Sequence, residues 1–164
     1  MSAVHTGENL TALINKSKSS CLNENVQHPW MNLLGGGGSI LSLRSDADEQ
    51  LLLTLALNTT VKLTSVVIGL PSNDSCPRTI RLYLNNENMG FDDASELKPI
   101  QEIQIPSSGL SEFCINLQAL KWQRTDSISI FVQDNHGADY SSLTSIGLYG
   151  ATINGTDVSK IKGC

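Results

Sequence analysis

From residue 39 onward the chain is a succession of short runs in which apolar residues recur at every second position, with no helical spacer between them. In the first long run, Leu51, Leu53, Leu55 and Leu57 fall on one side of an extended chain and Leu52, Thr54 and Ala56 on the other. Such a strand is expected to be buried over most of both faces. The runs VKLTSVVIGL, TIRLYL, IQEIQI, FCINL, SISIFV and SLTSIGLYG follow, each bounded by Asn, Asp, Gly, Pro or Ser, and together they predict seven strands, eight with ILSL. Parallel pairing requires crossover connections, usually helical, and none is present here. The expectation is therefore an all-β fold, an antiparallel β-sandwich of the jelly-roll or Greek-key kind. No internal repeat points to a propeller or solenoid.

At 164 residues the chain fits one domain. We place the domain at residues 21–153, between an N-terminal tail (1–20) and a C-terminal tail (154–164). In the first tail, Leu10, Leu13 and Ile14 at helical spacing predict a short amphipathic turn, and LGGGGSI at 34–40 predicts a surface loop. With 11 Lys plus Arg against 16 Asp plus Glu, a net charge of −5 disfavours nucleic-acid binding, which needs a basic face. No apolar stretch approaches the roughly 20 residues of a membrane-spanning helix. The opening MSAVHTGENL carries no apolar signal segment, so the expected location is the cytoplasm or nucleus. In that setting Cys21, Cys76, Cys114 and Cys164 are expected as reduced thiols; their spacing contains neither CxxC nor a zinc-ribbon pattern. The sequons at Asn9, Asn15, Asn58, Asn73 and Asn154 are then without consequence, because acceptor sites matter only on a secreted chain.

If each run crosses the sandwich once, alternate connections share an end. SDADEQ, PSNDSCP, PSSGLSE and QDNHGAD are then expected at one end, with ENMGFDDASE and the TDS turn at the other. The first end collects Asp46, Asp48, Glu49, Asp134 and Asp139, oxygen donors of the type calcium takes. Against a calcium site, the spacing lacks the Gly and Glu of a calcium-binding hand, and Asp and Ser at strand ends commonly bond local amides. His136, among these acids, has the residue type for proton transfer, yet no GxSxG elbow or Cys–His pairing accompanies it. Trp30 and Trp122 could stack on a sugar, as in jelly-roll lectins, or serve as core anchors.

Six blocks occur in order: CLNE (21–24), SDADEQLL (45–52), VKL (61–63), RTIRLYLN (78–85), FDD (91–93) and SISIFVQDNHGAD (127–139). Together they resemble the PITH family, the proteasome-interacting thioredoxin domain, over roughly residues 20–153. The resemblance implies a jelly-roll β-sandwich similar to galactose-binding-like domains. It also implies a monomeric, non-enzymatic module without cofactor or bound metal, which docks on the regulatory particle of the 26S proteasome. The thioredoxin domain that precedes PITH in two-domain members has no counterpart in this sequence, so thiol–disulfide exchange is not carried over. The chain resembles a stand-alone member or the C-terminal piece of a longer one. Asp46, Asp48, Glu49, Asp134, His136 and Asp139 are candidates for an acidic docking rim that would meet a basic patch on a partner. Strand entry and turn chemistry are the other reading of the same residues. A carbohydrate- or calcium-binding jelly roll is the alternative function.

Overall fold

The computed structural model describes residues 7–35, 41–107 and 109–153. Its strands are β1 (Glu8–Asn9), β2 (Ser20–Leu22), β3 (Leu43–Arg44), β4 (Leu51–Gly69), β5 (Pro77–Leu84), β6 (Gln101–Gln104), β7 (Glu112–Asn116), β8 (Thr125–Asn135), β9 (Ser142–Leu143) and β10 (Ser145–Thr152), with one short helix, α1 (Phe91–Glu96). All pairings are antiparallel. The main path runs β1-β10-β4-β8-β5-β6, with β2 and β7 also paired to β4 and β3 paired to β9.

The two runs read from sequence as separate strands are one 19-residue strand, β4, that changes partners midway. Residues 51–56 lie between β2 and β8, whereas residues 61–69 lie against β10 and β7. The register slips between Ala56 and Val61, where the polar stretch Asn58-Thr59-Thr60 takes the chain from one arm of the sandwich to the other. A second irregularity accounts for a break in the alternation. Tyr149 pairs Ser65 and Gly150 pairs Leu63, so Thr64 is a bulge. Burial accordingly switches parity, from Val61 and Leu63 before the bulge to Val66 and Ile68 after it.

Both arms face one core. Leu51, Leu53, Leu55, Ile80, Leu82, Ile128, Ile130 and Val132 from the first arm meet Leu63, Val66, Ile68, Ile115, Ile146 and Leu148 from the second. Each fully buried aliphatic side chain contributes about 1.5–3 kcal/mol of transfer free energy. The outer side of the first arm is buried too, as the doubly apolar run predicts. Leu52, Phe131 and Tyr83 pack under Met89, Phe91 and Ala94, and the Phe91 and Phe131 rings are 6.1 Å apart. The Tyr83 hydroxyl donates to the Ala94 carbonyl at 2.6 Å, so burying the phenol strands no polar atom.

The N-terminal segment differs from the expected tail. Its helical spacing yields only a 3-10 turn, Thr11–Leu13, because the Asn9 side chain accepts from the Thr11 amide and Asn15 from the Ser17 and Lys18 amides. Leu10 and Ile14 are nonetheless buried, and the segment is tied to the sheet through Leu10 N–Leu148 O and Asn15 N–Ala56 O, both 2.7 Å. Residues 7–20 are thus packed against the domain. Within the predicted glycine loop, Leu34 closes a 3-10 turn begun at Trp30, and 36–40 lie outside the described residues. The tail 154–164, with Asn154 and Cys164, and His5 also lie outside them.

The closest backbone approach is at Gly150, where an added Cβ would stand 1.9 Å from the Lys62 carbonyl oxygen and 2.9 Å from its carbon. Neither backbone atom can move aside without breaking the β4–β10 ladder. Gly150→Ala is expected to lower the unfolding free energy by at least about 2 kcal/mol, as overpacking does, and the urea midpoint with it. Gly90→Ala, whose Cβ would meet nothing within 4 Å, is expected to cost less, on the order of 0.5–1 kcal/mol, through the weaker fit of Ala at the N-cap of α1. Urea unfolding of the two variants would check the pair.

Candidate functional site

The four loops expected together do meet. Ser45 N donates to Ser141 O at 2.9 Å, Ser142 N to Ser75 O at 3.0 Å, His136 N to Cys76 O at 3.2 Å and Leu70 N to Ser111 O at 2.9 Å. The opposite end is organised by Asn85, whose side-chain oxygen accepts from the Asp126 and Ser127 amides and whose NH2 donates to Arg124 O. The FDD block begins near that end, but α1 carries it across the outer face of the first arm, where Phe91 joins the second apolar cluster. It therefore lies on that face rather than at the end of the sandwich.

Within the loop end, the candidate residues serve different neighbours. Asp48 accepts from the Asn23 side chain and the Gln50 amide, both at 3.0 Å, so its carboxylate closes a turn. Asp46 is exposed and accepts weakly from Asn25 Nδ2 at 3.3 Å, and Glu49 is half-buried with its backbone carbonyl held by Ser141 Oγ at 2.6 Å. Asp134 accepts from Arg78 at 2.7 Å and from the Thr79 amide at 3.0 Å. His136 donates from Nε2 to the Ile105 carbonyl at 2.8 Å, which fixes that nitrogen as protonated and ties the loop to the end of β6. Asp139 is exposed. Among the described residues, no three His, Cys, Asp or Glu side chains are grouped to hold a metal ion.

The side chains that organise this end are asparagines that the search for charged chemistry passed over. Asn23 adopts a left-handed φ of 69°, and its side chain bonds the Ala47 amide, the Gln50 carbonyl and the Asp48 carboxylate. Asn135 is buried; its NH2 donates to Ala138 O, Tyr140 O and Ser141 Oγ, and its oxygen accepts from the Gly137 and Ala138 amides. Glu24 accepts from the Trp30 amide at 2.8 Å. The signal was present in the sequence: Asn23, Asn85 and Asn135 lie in the CLNE, YLN and QDN stretches, where a strand ends and Asn bonds local backbone readily.

The described cysteines are buried or half-buried, and the two tryptophans lie in the interior. The three described cysteines are free, and burial pushes up each thiol; at Cys21 the Glu24 charge pushes further in the same direction, which keeps it protonated at neutral pH. Trp30 and Trp122 are buried, the latter with its indole N–H on Gln101 Oε1 at 3.0 Å, so neither presents a face to a ligand. The cleft between the 70–76 and 106–110 loops encloses about 80 Å³ and has no aromatic lining. Two other clefts, of about 380 Å³ beside Lys62 and Arg124 and about 300 Å³ beside Thr11 and Leu34, reach the roughly 300–1,000 Å³ of ligand pockets, and they too have no aromatic lining.

A family model described as the PITH domain matches residues 2–163. Thioredoxin-like protein 1 of Schizosaccharomyces pombe is 28% identical over 159 residues, 93% of this chain and 54% of that protein. PITH domain-containing protein 1 of Homo sapiens is 31% identical over 144 residues, 84% of this chain and 66% of that one. A third relative, PITH domain-containing protein CG6153 of Drosophila melanogaster, is matched over 51% of its length, so this chain spans about half the length of the first and third. Among solved structures, the family 32 carbohydrate-binding module of Clostridium perfringens NanJ with galactose superposes at a TM-score of 0.63, 14% identity, over 83% of this chain and 96% of that one. A Streptococcus pneumoniae fucose-binding module gives 0.61 at 14% identity, over 88% and 99%. At these identities the likeness is one of fold, and the fold is the galactose-binding-like jelly roll.

Two substitutions test the loop chemistry. Asn23→Ala removes the side-chain bonds and with them the local bonding that lets Asn hold a left-handed φ, and it is expected to cost about 2–3 kcal/mol in chemical denaturation. Partial burial works against the charged form of Asp134, but the bonds from Arg78 and Thr79 outweigh it and hold the carboxyl below its ordinary 3.8. A lowered folded value means stability that is present above the unfolded value and lost as pH falls through the folded one. The gap in melting temperature between wild type and Asp134→Asn is therefore expected to be full above about pH 4 and to shrink below it.

Proposed function

The chain belongs to the PITH domain family, and from that premise we propose that it is a non-catalytic protein-interaction module that docks on the regulatory particle of the 26S proteasome. The observation that carries the reading is the extent of the family match, residues 2–163 of 164, which leaves almost none of this chain to another kind of domain. The chemistry at the loop end supports the non-catalytic part. The polar groups there are engaged in closing turns, the described thiols are held protonated, and His136 is committed through Nε2 to a backbone carbonyl. The protein would act in the cytoplasm or nucleus as a monomer. Contacts would form at the loop end, where Asp46 and Asp139 are exposed beside the more engaged Asp48, Glu49, Asp134 and His136. Such a rim favours a basic partner and speeds encounter at low ionic strength.

Sugar binding is the competing reading, favoured by the carbohydrate-binding modules that share the fold. The buried tryptophans and the lack of aromatic lining in the clefts weigh against it.

Gradient co-sedimentation with intact 26S proteasomes, and with the free 20S core as control, tests the docking reading. Co-migration only with the particle that carries the regulatory complex is expected, with weakening in an Asp46→Lys/Asp139→Lys double variant. Absence from both gradients at micromolar protein and low salt would overturn it. In parallel, galactose or calcium is expected to leave the melting temperature unchanged. A ligand present at 100 times its Kd would stabilise by about 2.7 kcal/mol, which such a melt would register.

A further inference from the structure

Exposed apolar surface is concentrated on one stretch of the chain. Leu22, Val26, Met31 and Leu41 are 39%, 91%, 43% and 46% exposed, whereas the other large exposed apolar residues, Leu97, Leu110 and Leu120, sit singly on separate segments. Scattered apolar residues are normal on a protein surface; a group of them is a mark of an interaction site. The turn that presents Val26 is also rigid. Asn25 N donates to Arg44 O at 2.8 Å, Arg44 N to His28 O at 3.0 Å and His28 N to Asn25 O at 2.9 Å, so the turn clasps β3. Asn25 Oδ1 accepts from the Gln27 amide, and Asn32 Nδ2 donates to Ser42 O, which ties the Met31 turn to the residue after Leu41. A β-branched apolar side chain held this far out by so many bonds is ordered before any partner arrives, so docking there costs little entropy.

Charge fixes the class of partner. No Lys or Arg occurs between Lys18 and Arg44, while Glu24, Asp46, Asp48 and Glu49 border the stretch. Asp46 is joined to the turn through Asn25, and Arg44 is occupied by the Tyr140 ring, 5.0 Å from its guanidinium carbon. A second copy of the chain would bring the same acids face to face, which disfavours self-association. We infer that Val26, Met31 and Leu41 are the apolar anchors of the docking surface, and that the segment they receive is a basic peptide carrying an apolar side chain of its own. This deepens the proteasome-docking reading and rests on it. The acids steer the cationic segment in, and the apolar contacts hold it, the usual division between association rate and residence time.

The test uses Val26→Ser and Met31→Ser, which remove apolar surface without adding charge, with Leu120→Ser as the matched control, because Leu120 is 85% exposed in the Ala119–Lys121 turn, away from the loop end. All three should fold, and their melting curves check that. In co-sedimentation with 26S proteasomes, Val26→Ser and Met31→Ser are each expected to weaken binding about tenfold, with Leu120→Ser within about twofold of wild type. Wild-type binding is expected to weaken as NaCl rises. If wild type binds and the two variants bind equally well, the anchors are refuted while docking stands. If wild type does not bind, the docking reading fails. In that case, NMR titration of the full chain with a synthetic Lys/Leu peptide decides the surface by itself: amide shifts confined to residues 22–32 and 41–48 sustain it, and their absence overturns it.

Discussion

The structure depends on the two-partner pairing of β4. A single strand supplies the centre of both arms, bonded to β2 and β8 along residues 51–56 and to β10 and β7 along residues 61–69. Every other element is placed relative to it. Because its partners lie far away in sequence, the ladder can form only after several long loops have closed, which makes this a slow-folding topology and couples the two arms into one cooperative unit. The corner at Asn58-Thr59-Thr60 and the bulge at Thr64 let one chain satisfy both arms: the first turns the strand, and the second resets which side chains face the core.

At the loop end, geometry separates what looks chemical from what is structural. Four acidic residues near the start of β4 read as a ligand set, yet Asp48 closes a turn, Glu24 receives the Trp30 amide, and only Asp46 stands out in solvent with a single long bond. Asp134 is bound to a cation and an amide of β5. The jelly roll shared with carbohydrate-binding modules therefore supplies a frame, and the residues of the loop end decide the chemistry on it. Here the tryptophans that could have stacked on a sugar lie in the core.

Sequence reasoning reached the strands and the shared loop end because both rest on alternation and parity, which are local and countable. It split β4 in two because Asn58-Thr59-Thr60 carries the polar composition of a connection, and only the pairing reveals a strand that turns without ending. It treated residues 1–20 as a tail because Leu10 and Ile14 are isolated apolar residues, and their burial depends on the distant Ala56 and Leu148 backbone. FDD was misplaced for a similar reason: the outer face of the first arm is itself apolar at Leu52 and Phe131, and that surface draws α1 over it. Parity also placed Asp46, Asp48, Glu49, Asp134 and Asp139 together with His136 at the loop end, where the structure has them. The asparagine scaffold was missed because a neutral amide carries no signal in a search for charge.

The pairing of β1 with β10 brings Glu8 opposite Gly150, next to the Lys62 and Leu63 stretch of β4 and far from the loops where β10 begins at Ser145. Polypeptide joined before Glu8 or after Thr152 therefore leaves from a common place, on the side of the sandwich remote from Asp46 and Val26. The geometry is that of a tethered head: a segment attached at either end would leave the surface around Asp46 and Val26 uncovered.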